Sequence, residues 1–305
     1  MNRSRIHTID LNFMGIPGSI ACYLIRHKNG AILVESGPGS TIPALQKGLQ
    51  ALGLNASDIT DVLLTHIHLD HAGAAGWLAR QGAQIHVHHI GAPHMLAPEK
   101  LIGSASRIYG DMMETLWGEF LAVPEDKMSV LYDNDVVDVG GHRFTAIDTP
   151  GHANHHHVYL LEDICFSGDI GGVRIGGLQH LRIPMPPPEF NLEMWRESQA
   201  RLFNIYRQSG FKRIAPTHFG IYHDTEWHLE ALEIALNEIE GWIDTIMPAN
   251  PDIEQLNKQF LDWTEQRTLN AGLDRGALSS FEAANPSWMS SYGIQRYWRK
   301  VRSQS

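Results

Sequence analysis

The sequence predicts a layered α/β sandwich followed by an all-helical tail. Three observations carry this: strand and helix signals alternate through the first half, paired strand signals recur in the second, and strand signals stop after about residue 223. In order, Ile20–Ile25 and Ala31–Glu35 are short apolar runs joined by a turn at Lys28-Asn29-Gly30, and read as paired strands. A helix follows, with Ser40 or Thr41 as N-cap, Pro43 in its first turn, and Ile42, Leu45, Leu49 and Leu52 along one face. Asp61–Thr65 is an apolar run of buried-strand type, after which the pattern resumes with a helix around Ala72–Arg80 and a strand at Gln84–His88.

The second half repeats the architecture. Asp135–Val139 and Arg143–Asp148 flank Gly140-Gly141, and His157–Leu161 and Ile164–Ser167 flank Glu162-Asp163, as two hairpins. Leu192, Trp195, Leu202 and Tyr206 mark an amphipathic helix and Arg213–Pro216 a last strand. In the tail, Leu232, Leu236, Ile239 and Ile243 form one helical stripe and Ile253, Leu256, Phe260 and Trp263 a second. A third helix is read to start at Asn285-Pro286, with turns at 248–251 and 272–276. Two domains are expected, 1–223 and 224–305.

A chain of 305 residues, 43% apolar and 19% charged, is of ordinary globular composition and long enough for a large core. Its 24 basic against 34 acidic residues give a net charge of −10, and only Arg296–Arg302 looks basic, so no nucleic-acid partner is expected. The start of the chain carries no apolar leader region, and no run approaches the ~18 apolar residues of a membrane span. A cytoplasmic protein with a small-molecule substrate and no membrane partner is expected. With 18 histidines against 2 cysteines, metal would be bound by nitrogen and oxygen, and thiolate zinc ribbons are excluded by supply. Cys22 and Cys165 read as buried free thiols.

The densest chemistry is Thr65-His66-Ile67-His68-Leu69-Asp70-His71, directly after a buried strand. In an extended or tightly turning loop His66 and His68 point the same way, whereas Asp70 and His71 diverge toward a second point, a geometry for two metals. Further donors sit just past the carboxyl ends of three apolar runs: His152 in Thr149-Pro150-Gly151-His152, Asp169 in Ser167-Gly168-Asp169, and His218 in Pro216-Thr217-His218.

This set, His-x-His-x-Asp-His followed by Thr-Pro-Gly-His, Ser-Gly-Asp and Pro-Thr-His, resembles the metallo-β-lactamase superfamily, and most of all its glyoxalase II branch, over about residues 6–223. The resemblance implies a four-layer αββα sandwich with a C-terminal helical appendage. It further implies two divalent metals, zinc first with iron or manganese as alternatives. His66, His68 and His152 would hold one, Asp70, His71 and His218 the other, and Asp169 would bridge them. The implied activity is a metallo-hydrolase in which a metal-bridged hydroxide attacks a thioester, ester or lactone carbonyl, with Asp70 as catalytic carboxylate orienting the water. Phosphodiester or organophosphate hydrolysis at the same site is the alternative, and a mononuclear iron oxygenase resembling persulfide dioxygenases a distant third. Where β-lactamases of the commonest zinc class carry a cysteine this chain has Asp169, and where flavodiiron reductases carry a glutamate it has His68.

The long segment 170–189, beginning beside Asp169, is expected to wall the pocket. Arg174 and Arg182 in it, together with His156 and Tyr222, are the candidate substrate contacts. The helical tail is read as a lid or as the contact of a homodimer.

Overall fold

A computed structural model describes residues 5–304. Residues 1–4, part of the stretch read above as leaderless, and Ser305 lie outside them. Six strands form the first sheet: β1 (Ile6–Asp10), β2 (Ala21–His27), β3 (Gly30–Val34), β4 (Ile59–Leu63), β5 (Gln84–His88) and β6 (Met128–Leu131), in that spatial order. β7 (Val136–Val139), β8 (His142–Asp148), β9 (His157–Leu161), β10 (Ile164–Phe166) and β11 (Arg213–Ala215) form the second, in reverse order. β3 to β6 run parallel, as do β10 and β11, and the other neighbours are antiparallel.

The sheets pack face to face, and strand alternation decides which side chain goes where. Tyr23 and Ile25 of β2 and Ile32 and Val34 of β3 meet Phe144, Tyr159 and Phe166 of the second sheet. Their neighbours Cys22, Leu24 and Leu33 face outward onto α1 (Ile42–Ala51), α2 (Leu69–Ala72) and α3 (Ala75–Arg80). Because both faces are covered, these strands read as continuous apolar runs. Both cysteines are free and buried.

Further helices are α4 (Ala92–Leu96), α5 (Glu99–Tyr109), α6 (Met113–Trp117), α7 (Leu192–Ser209), α8 (Thr225–Ile246), α9 (Ile253–Asn270), α10 (Arg275–Ala284) and α11 (Ser287–Lys300). The outer face of the second sheet packs on α7, α8, α9 and α11 in one cluster that includes Val158, Trp195, Ile214, Leu232, Phe260 and Tyr297. The layers are therefore helix, sheet, sheet, helix. No described helix is long and apolar enough to cross a membrane.

Four details differ from the sequence reading. β1 and β6 are edge strands with polar interruptions, and neither was expected. The stretch 92–117 folds into three short helices. Of residues 272–276, read as a turn, 272–274 form one with Gly272 at a φ of 77°, while Arg275 and Gly276 already begin α10, whose Asp274 side chain accepts the Ala277 N–H at 2.9 Å as an N-cap. Asn285 ends α10, and Pro286 is the N-cap of α11, so the third tail helix begins one residue later than read.

Candidate metal centre

Every predicted ligand sits beyond the carboxyl end of a strand at one edge of the sandwich. β4 leads into His66 and His68 and then into α2, whose first turn carries Asp70 and His71; β8, β10 and β11 lead to His152, Asp169 and His218. The turn bearing Asp169 depends on Gly168, whose φ is 51°; a Cβ there would lie 2.6 Å from His156 Nε2 and from Thr65 Oγ1.

All seven side chains converge. His68 Nδ1 lies 2.9 Å from both His66 Nε2 and His152 Nε2. His71 Nε2 and His218 Nε2 lie 3.6 and 3.4 Å from Asp70 Oδ2. Asp169 faces both groups: Oδ2 is 3.3 Å from His152 Nε2, and Oδ1 is 3.3 and 3.5 Å from His71 and His218 Nε2.

Proton positions show what these atoms offer. His152 Nδ1 lies 2.9 Å from the Pro184 carbonyl, His218 Nδ1 2.7 Å from the Ser19 carbonyl, and His71 Nδ1 3.0 Å from the Glu35 carboxylate. These partners only accept, so each Nδ1 carries a proton and each Nε2 is the atom turned inward, a lone pair when the ring is neutral. Thr65 spends its hydroxyl proton on Glu35 Oε1 at 2.5 Å, so His66 Nδ1, 3.1 Å away, donates to it and its Nε2 is likewise bare. Among the neutral rings only His68 Nδ1 can donate inward, to His66 or His152 Nε2 but not to both, and His71 Nε2 and Asp169 Oδ1 are buried without a hydrogen-bond partner. Lone pairs facing lone pairs repel unless cations lie between them, so the donor set fits metal.

Electrostatics hold His68 and Asp70 in the ligating form. Burial disfavours the charged form of His68, and the neighbouring His152 adds to this, holding it down to about 3. Burial would raise Asp70, but His71 and His218 outweigh it and hold the carboxyl down to about 2. His71 goes the other way: burial opposes its protonation, yet Asp70, Asp169 and Glu35 raise it well above the ordinary imidazole range.

Glu35, which the sequence reading passed over as the end of a strand, ties the ligand loops together. Fully buried, it accepts from Thr65 N–H and hydroxyl, Thr217 hydroxyl and His71. An acid at the carboxyl end of the strand parallel to the ligand-bearing β4 was the available signal.

The four candidate substrate contacts require correction, because none lines the cavity above the ligand set. Arg174 is buried between the rings of Tyr222 and Trp227 and forms a bidentate pair with Asp224 at 2.7–2.8 Å. Arg182 is buried against Phe281 and pairs with Glu282 at 2.5 Å. The Tyr222 hydroxyl lies between the Arg174 and Phe219 carbonyls. His156 Nε2 accepts the Asp169 N–H at 3.2 Å and so supports the Asp169 turn from beneath. It is His155 that reaches the cavity; its Nδ1 accepts from Ile67 N–H, leaving Nε2–H directed to Glu189 at 3.4 Å. Segment 170–189 does contribute a wall, through Pro184 and Pro186–Glu189.

A second His/Asp group, His88, His157 and Asp148, answers the same test differently. Ile90 N–H donates to His88 Nδ1 at 3.0 Å, which puts the ring proton on Nε2, 3.3 Å from Asp148. His88 thus turns a proton, not a lone pair, toward the carboxylate, and the group reads as a hydrogen-bonded His/Asp cluster.

A two-sheet α/β sandwich with a His/Asp donor set divided between two points at one edge defines a protein of dinuclear-metal type. Residues 15–218 match the metallo-beta-lactamase superfamily, and the chain belongs to it. A metallo-beta-lactamase fold-containing protein of Sulfurisphaera tokodaii is 28% identical over 204 residues, covering 66% of this chain and 74% of that protein. The lactamase-like protein adaB of Aspergillus niger is 31% identical over 151 residues, 48% of this chain and 37% of that protein. Among solved structures, a metallo-beta-lactamase family protein of Thermus thermophilus shares the fold over 97% of this chain and 93% of its own, at a TM-score of 0.68 and 19% identity. The class B3 di-zinc metallo-beta-lactamase LRA-12 from an Alaskan soil metagenome covers 78% of this chain and 91% of its own, at 0.55 and 18%. Family and donor set together support a metal-dependent hydrolase.

Proposed function

We propose that this chain hydrolyses a carboxylic ester, thioester or lactone at a dinuclear centre held by His66, His68 and His152, by Asp70, His71 and His218, and by Asp169 between them. The observation that carries the choice of a carbonyl is the charge of the cavity opening onto the donor set. Its volume is about 570 Å³, and among its lining residues Lys100 is the single lysine or arginine. A phosphodiester brings a fixed negative charge, and sites for one carry cationic or N–H clamps. The two carboxylates of a glutathione thioester would meet the same shortage, so an uncharged carbonyl substrate fits better than the glyoxalase II substrate.

Two divalent cations, zinc by preference, would supply Lewis acidity and lower the pKa of a water shared between them. The protein's own part is orientation. Outer acceptors hold four imidazoles in one tautomer, so the site needs no rearrangement before it is filled. Asp70, ionised and on the cavity wall, accepts a hydrogen bond from the attacking water and fixes its direction.

The test is parallel assay of the zinc-loaded chain on acyl thioesters, acyl lactones, S-lactoylglutathione and bis(nitrophenyl) phosphate. Turnover of the first two, abolished in Asp70→Asn and His66→Ala variants that keep the wild-type circular dichroism, is expected. Preferential cleavage of the phosphodiester, or wild-type rates in either variant, refutes the reading.

A further inference from the structure

The cavity is one continuous space from the donor set outward, with His68, Asp70, His152, Asp169 and His218 among its walls. Whatever part of a substrate flanks the reacting carbonyl must therefore lie along the remaining walls. These carry a row of aromatic rings drawn from three distant parts of the chain. Phe13 stacks on Trp117 with centroids 5.5 Å apart, Trp117 meets Tyr109 edge-on at 5.0 Å, and Tyr109 meets Trp288 edge-on at 5.9 Å.

Local structure explains why the rings face one another. Tyr109 and Trp117 are the last residues of α5 and α6, each followed by a glycine with positive φ, Gly110 at 53° and Gly118 at 64°. At Gly118 a Cβ would come within 2.5 Å of the Ser40 backbone, so the chain turns there against the sandwich and leaves Trp117 toward the cavity. Trp288 is in the first turn of α11, on the helical appendage. The appendage thus completes a wall of the cavity that contains the donor set.

The polar groups along these walls are largely committed. Glu282 is held by Arg182 and by the Ser287 N–H and hydroxyl, and Glu189 accepts the Asn154 N–H at 3.0 Å. Lys100 is exposed. Apart from His94, Ser104, His155 and Asn285, what remains facing the space is apolar and aromatic, in a volume within the ~300–1,000 Å³ of ligand cavities. An acetyl group would leave most of it wet.

From this we infer that the substrate's acyl part is a long, uncharged hydrocarbon chain, and that Trp288 of the appendage is a specificity-determining residue for it. The inference rests on the carbonyl-hydrolase reading above for the position of the scissile bond, whereas the chain-binding wall is a property of the cavity by itself. Each methylene buried is worth about a four-fold gain in affinity.

The test uses the full chain without metal, and N-methyl amides of straight-chain acids from butanoyl to decanoyl, measured by isothermal titration calorimetry. Affinity is expected to climb steeply with chain length, by up to about four-fold per methylene. Trp288→Ala is expected to cut the affinity for the decanoyl amide at least five-fold and to flatten the series. Tyr132→Ala, which removes an exposed ring outside the cavity and away from the aromatic row, should leave it unchanged. If Trp288→Ala does not fold, Trp288→Leu serves, with a smaller loss. Affinity that is flat across the series, or Trp288 variants that bind the decanoyl amide as wild type does, overturns the inference. The two readings fail separately. Amides that bind while the zinc-loaded chain leaves the matching thioesters intact sink the hydrolase reading alone; acetyl thioester turned over as efficiently as decanoyl sinks the chain-length reading alone.

Discussion

Replacing Glu35 by glutamine tests whether the donor set is held from outside. Three bonds converge on Glu35 Oε1, from the Thr65 hydroxyl at 2.5 Å, the Thr217 hydroxyl at 2.9 Å and His71 Nδ1 at 3.0 Å; a fourth, from Thr65 N–H, reaches Oε2 at 3.3 Å. A neutral amide oxygen can keep the first three, but each falls from a charge-assisted bond to a neutral one, a loss of about 1 kcal/mol apiece. The amide NH₂ then faces the Thr65 N–H, donor against donor, for about 1 kcal/mol more. Glu35 also has a left-handed φ of 67°, a conformation that these bonds help to hold. The sum is about 4 kcal/mol, or about 8 °C of melting temperature at the ~2 °C per kcal/mol of a large domain. His71 becomes a poorer donor as well, so zinc affinity should fall about 10- to 100-fold. Calorimetric melting of the apo chain and competitive zinc titration read the two effects independently. A glutamine variant that melts within about 2 °C of wild type and binds zinc equally well would show that Glu35 does not organise the site.

Two further outcomes follow from the same geometry. His228 is fully buried, its Nε2–H donates to the Gly171 carbonyl at 2.8 Å, and its Nδ1 faces the Arg174 guanidinium at 3.4 Å, with Asp224 beyond it. Burial, with Arg174 adding to it, lowers its pKa to about 4. A neutral native histidine contributes stability that is complete above the unfolded value near 6.5 and is lost as pH falls toward 4. The apo chain should therefore lose about 3 kcal/mol over that window, and His228→Gln should flatten this limb of the pH–stability curve measured by urea unfolding; an unchanged limb would contradict it. Zinc at 100 times its dissociation constant should stabilise the chain by about 2.7 kcal/mol and a chelator should reverse this; a melting temperature indifferent to both would exclude the donor set as a high-affinity site.

Most of the sandwich was legible because buried strands of a doubly covered sheet are long apolar runs, and the seven donors were legible because each follows such a run. What lay hidden is governed by contacts between distant segments. Arg174 and Arg182 looked like free loop cations, and only the fold brings Asp224 and Glu282 against them. Position 156 and position 155 are indistinguishable in a run of three histidines until the turn that orients them exists. Glu35 looked like a polar strand terminus, since its three partner segments are 30, 36 and 182 residues away. The aromatic row was equally silent, its members being separated by helices and the whole appendage.

The placement of Trp288 bears on what kinship can tell. All seven donors fall inside residues 15–218, the part shared with the superfamily, but one end of the aromatic row lies at 13 and the other at 288, outside it. Reactivity and selectivity are thus written in different stretches of one chain, and the second can drift while the first stands still. Two proteins alike over the donor-bearing stretch can accept quite different molecules, so it is the α11 sequence that should be compared when sorting this chain's relatives by what they cleave.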